Sequence, residues 1–131
     1  MNERRALQIV VALASLVPIC AGAAGVGLGL KMVGISEAPT SADSHFAYLS
    51  GLLLGIGLGF ATTIPRIDVH TARFRVLAAI VFVGGLGRLL SLAVHGAPGK
   101  PMLFGLGMEL FVTPALAVWQ ARVARRSSPR L

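Results

Sequence analysis

The stretch "FRVLAAIVFVGGLGRLLSLAV", Phe74 to Val94, decides the fold. Its only polar side chains are Arg75, Arg88 and Ser91. At about 1.5 Å per residue, a helix of this length crosses a hydrocarbon core about 30 Å thick. Arg88 then lies where lipid belongs, and an unpaired charge at that depth is costly. A membrane reading of this stretch therefore requires a second residue that answers Arg88.

The flanking sequence supplies three more runs of the same kind, Ala6 to Leu30, Phe46 to Ile64 and Met102 to Trp119. Between them lie "GISEAPTSADS", "IPRIDVHTA" and "GAPGKP", in which proline and glycine punctuate short turns. Helices are predicted over about 6–31, 45–64, 74–95 and 102–122. The chain has 131 residues, 55% hydrophobic and 13% charged, with a mean hydropathy of +0.79. A soluble domain of this size has too little interior to hide that much apolar surface. The expected fold is all-α, a four-helix transmembrane bundle forming one integral membrane domain over 1–131. The first run exceeds the ~7–15 residues of a signal-peptide core, so it is expected to be a retained helix.

Basic residues set the expected orientation, because they stay on the cytoplasmic side. Arg4, Arg5, Arg66, Arg73, Arg75, Arg122, Arg125, Arg126 and Arg130 fall at one side, and Lys31 and Lys100 at the other. Both termini are then cytoplasmic, in a multi-pass protein of a bacterial inner membrane. Trp119 and Tyr48 fall near opposite interfaces, where amphipathic rings favour the headgroup level. The net charge of +7 follows from this topology and from attraction to anionic headgroups. Nucleic-acid binding is not needed and has no motif, so the lipid bilayer is the expected partner.

Gly51, Gly55 and Gly59 recur every fourth residue, as do Ala21, Gly25 and Gly29, while Gly84, Gly85 and Gly87 cluster in the third run. Such small-residue stripes let helix backbones approach closely. They are read as packing positions within the bundle, with docking of a membrane protein partner or a second copy as the alternative. Pro18 and Pro114 are candidate kinks, and Asp43 or Ser44 is the expected N-cap of the second helix.

Glu109 answers Arg88. Arg88 lies seven residues before His95, and Glu109 seven residues after Met102. Both fall about 10 Å below the same membrane edge, on helices joined by a short connector. An arginine fork accepts a carboxylate bidentately. The pair is expected to face inward, fixing helix register or lining a polar cavity. Asp43 is expected to reach toward the same guanidinium, which has five donors to satisfy. Glu37, Asp43, His45 and His95 share the outer side, but their spacing matches no ligand motif, so no metal is assigned. Phosphate-binding glycine motifs, HExxH and GxSxG are absent. Cys20 has apolar neighbours and no second thiol, Asp68 and His70 read as solvated loop residues, and no catalytic residue is assigned.

"DSHF" at the second helix, "GGLGRLLSL" in the third and "MELFVTPALAVWQ" in the fourth resemble the DUF4345 family of small bacterial membrane proteins. The resemblance covers about Asp43 to Arg126, and its pattern falls on Asp43, Ser44, Phe46, Gly85, Arg88, Ser91, Glu109 and Pro114. Ala47 departs from it, standing where members often carry a basic residue. The family is similar to the DoxX-like four-helix membrane proteins, some of which accompany redox enzymes. The resemblance implies one constellation of Asp43, Arg88 and Glu109, with Ser91 a turn beyond Arg88, and names no cofactor. The first functional expectation is an accessory or scaffold subunit of a membrane complex rather than an enzyme. The alternatives are a carrier of a lipophilic molecule, a quinone or lipid, near Arg88, and a DoxX-like redox-associated subunit.

Overall fold

A computed structural model describes residues 2–128, all helix and connecting turns with no strand. Arg130, counted above with the basic residues, lies outside the described residues. Four helices, of 31, 27, 25 and 28 residues with their terminal turns, are long and apolar enough to cross a membrane.

The first, α1, runs over Glu3–Leu28, with Pro18 inside it, and tightens into a 3-10 turn over Gly29–Val33. Gly34 stops it at φ 84°, donating its N–H to the carbonyls of Leu30 and Lys31. That left-handed conformation suits glycine, which has no Cβ to clash. The second helix, α2, spans Thr40–Thr63 and ends in a short turn, Ile64–Arg66. It starts at Thr40, well over one turn before its apolar run begins at Phe46. Pro39 is its N-cap, and the Pro39 carbonyl accepts the N–H groups of Ala42 at 2.9 Å and Asp43 at 3.1 Å. The expected cap at Asp43 or Ser44 is therefore corrected. Asp43 lies inside the first turn, where a carboxylate suits the positive end of the helix dipole.

The third helix, α3, covers Thr71–His95 and is ended by Gly96 at φ 91°. The fourth, α4, runs over Lys100–Ser127 and is built in three parts. It is α-helical over Lys100–Gly107, π-helical over Met108–Val112 and α-helical again over Thr113–Ser127. Pro101 sits in its first turn, where a missing N–H costs nothing.

The chain packs as two units, Ile9–Ile64 on the one hand, and the residues through Gln8 with those from Pro65 onward on the other. In the first, α1 meets α2 along a seam of small residues. Gly22, Gly25 and Gly29 are buried there. A Cβ on Gly22 would stand 2.7 Å from the Ser50 carbonyl, and one on Gly57 would stand 2.9 Å from the Ile19 nitrogen. A Cβ on Gly25 would collide with the Ser50 hydroxyl. The backbones therefore approach as closely as glycine allows. In the second unit α3 packs on α4, and Leu7, Ile67, Phe74, Ala78 and Val123 are buried.

Candidate functional site

The π-helical segment of α4 positions the site. Pro114 has no N–H, so a regular helix would leave the Leu110 carbonyl unpaired and press the ring against it. The chain instead inserts an extra residue. The Thr113 N–H reaches back to the Met108 carbonyl, and the Thr113 hydroxyl donates to the same oxygen at 2.9 Å. Single-turn π segments of this kind recur at functional positions. Here the segment carries Glu109.

Glu109 and Arg88 are brought together. Arg88 Nε donates to Glu109 Oε2 at 3.0 Å, and Nη2 donates to Oε1 at 3.0 Å, a fork on a carboxylate. The third guanidinium nitrogen, Nη1, donates to the Met102 sulfur at 3.0 Å. A thioether is a weak acceptor, so one face of the guanidinium is held less firmly than the other. The Glu109 side chain is 16% exposed and that of Arg88 32%. Glycine makes the approach possible. A Cβ on Gly85 would stand 2.8 Å from both Glu109 Cβ and Leu110 Cδ2. Gly105 faces the pair from α4, its would-be Cβ 3.9 Å from Arg88 Cζ.

The other expected members each have a setting of their own. Asp43 belongs to the Ile9–Ile64 unit, and its Oδ1 accepts the Leu30 N–H at 2.8 Å. That bond ties the start of α2 to the end of α1, and a Cβ on Gly29 would strike the same carboxylate. Ser91 is exposed on α3, one turn beyond Arg88. Gly25, Gly29 and Gly85 lie in tight helix contacts. Gly51 and Gly55 lie on an exposed face of α2, where a Cβ would meet only Val26 at 3.9 Å or nothing. Gly59 is half-buried. The α1–α2 seam instead follows Asp43, Ser50 and Gly57, spaced by seven, so the four-residue glycine stripe turns away from it. Among the described residues no group of three His, Cys, Asp or Glu is placed to hold a metal ion.

A polar knot at the opposite end of the second unit has no sequence motif. Glu3 accepts from Trp119 Nε1 at 3.2 Å and pairs with Arg126. Arg4 pairs with Asp68 at 3.1 Å and donates to the Pro65 carbonyl at 3.1 Å. Gln120, fully buried, donates to the Ile67 carbonyl at 2.7 Å and to the Thr71 hydroxyl at 2.9 Å. The expectation of a solvated Asp68 is corrected. Its side chain is 19% exposed because the first turn of α1 folds over the α2–α3 loop. The only sequence signal for this knot was the placing of charged residues beside a tryptophan at helix ends.

Four helices long and apolar enough to cross a membrane, two of them joined by an ion pair, define a multi-pass membrane protein. The model of a domain of unknown function, DUF4345, matches residues 6–120, and the chain belongs to that family. No curated protein and no solved structure matches it.

Proposed function

We propose that the protein is an accessory subunit of a membrane complex, whose α3–α4 face receives a transmembrane helix of a partner at Arg88. The observation that carries this reading is the unequal state of the guanidinium. Two of its nitrogens are fixed by Glu109, while Nη1 rests on a thioether and about a third of the side chain, 32%, is open. In hydrocarbon, an open donor on a charged group is unfavourable. Partner helices satisfy such donors with backbone carbonyls or small hydroxyls. The 18-residue apolar core of α4 has 0% of its residues buried within the chain, which leaves its surface to lipid or to a partner. In this reading both termini are cytoplasmic and the membrane is a bacterial inner membrane, as the arginines at the helix ends favour.

A second reading is favoured by the same weak Nη1 contact. A quinone or lipid carbonyl accepts a hydrogen bond better than a thioether does and would displace Met102 from Arg88. Purification from native membranes in mild detergent, with intact-particle mass spectrometry, separates the two. The first predicts a particle well above the 13.6 kDa of this chain, with a second polypeptide in fixed ratio. It also predicts that Arg88→Leu with Glu109→Leu weakens that association. A lone chain carrying one lipophilic molecule supports the second reading and overturns the first. A bare lone chain overturns both.

A further inference from the structure

We propose that the groove between the start of α3 and the end of α4 binds the phosphate headgroup of an anionic phospholipid. This does not depend on the subunit reading above. Arg75 of α3 faces Arg122, Arg125 and Arg126 of α4 across a groove of about 630 Å³. Four arginines from two helices line it. Among the described residues, Arg75, Arg122 and Arg125 have no hydrogen-bond or ion-pair partner, and Arg126 is shared with Glu3. Arg122 stands three residues from Arg125 and four from Arg126, so like charges crowd one helix face. Crowding of that kind destabilises a helix unless an anion lies between the charges.

Placement at helix ends accounts for one arginine or two at the membrane edge. It does not account for arginines of two helices lining one cleft. The cleft's walls name the occupant. Ala117, Ala121 and Val118 line it. Val118 is 65% exposed and continues the apolar surface of α4 away from the arginines. A ligand that fits has an anionic oxygen cluster at one end and a hydrocarbon chain at the other. Guanidinium forks match phosphate oxygens in pairs, and small side chains let the headgroup sink toward the helix axes. Basic pockets between transmembrane helices on the cytoplasmic side bind anionic lipid headgroups by this chemistry.

Native mass spectrometry of the detergent-purified protein, titrated with dioleoylphosphatidylglycerol, tests the proposal. One discrete lipid adduct is expected. Arg122→Gln with Arg125→Gln should weaken it roughly tenfold or more, and Arg75→Gln, on the other helix, should weaken it as well. Arg5→Gln with Arg66→Gln removes the same charge elsewhere and should leave the adduct within about twofold of the parent. Dioleoylphosphatidylcholine should bind more weakly than the anionic lipid. Equal loss in the Arg5 and Arg66 pair would mean bulk charge and overturn the site. Undiminished binding by the Arg122 and Arg125 pair would overturn it too. Glycerol phosphate binding as tightly as the lipid would assign the groove to a soluble phosphate ester and overturn the lipid.

Discussion

Arg88 is paired within an apolar helix because its neighbours are small. Gly85 lets the carboxylate of Glu109 come within reach, since a Cβ there would stand 2.8 Å from Glu109 Cβ. Gly85→Ala should therefore destabilise the protein by about 1–3 kcal/mol, the usual cost of overpacking. On the same helix a Cβ at Gly87 would meet nothing within 4 Å. Gly87→Ala should be neutral or stabilise by up to about 1 kcal/mol through helix propensity. Thermal unfolding of both variants in one detergent reads the contrast, and equal effects would deny that the α3–α4 approach is tight at Gly85. The charge pair was legible in the sequence because opposite charges at matching depths in adjacent helices have few alternatives. The bond that Asp43 makes within its own unit was not, because it depends on the backbone turn that ends α1. The Leu30 N–H, freed where α1 tightens into a 3-10 turn, donates to the Asp43 carboxylate.

At the scale of the element, α4 departs most from its sequence reading. Pro114 was readable as an interruption. That the helix absorbs it as a π segment, and thereby aims Glu109, depends on α3 packing beside it. Deleting Phe111, which is 74% exposed, together with Pro114→Ala removes one residue from that segment and the proline that opposes a regular helix. The part before it then turns by about 100° relative to the part after it, one residue's worth of helix. Glu109 leaves Arg88. Stability should fall as in Glu109→Leu, and adding Glu109→Leu to the deletion should cost nothing further. Full stability of the deletion variant, read by the same thermal melts, would show that the π segment does not position the carboxylate. Helix ends shifted by a few residues from their apolar runs because polar caps and turns extend helices past the hydrocarbon-facing part.

Across the whole molecule, four spans were legible from hydropathy alone, since length and apolar content fix them. The polar knot was not. Glu3 and Trp119 are 116 residues apart, and no local spacing announces such a pairing. The proposed orientation rests on the arginines, and in it Lys100 at the α3–α4 turn should face away from the cytoplasm. Lys100→Cys in a Cys20→Ser background should react with a membrane-impermeant maleimide added outside intact spheroplasts. Labelling only after lysis would invert the topology. The central claim is that Arg88 and Glu109 act as one unit inside the membrane. The most direct test is the unfolding free energy of Arg88→Leu, Glu109→Leu and the double variant in the same detergent. Each single variant should lose on the order of 2.5–3.5 kcal/mol by stranding its partner, and the double variant should lose less than either. Losses that simply add would show two independent residues and contradict the account.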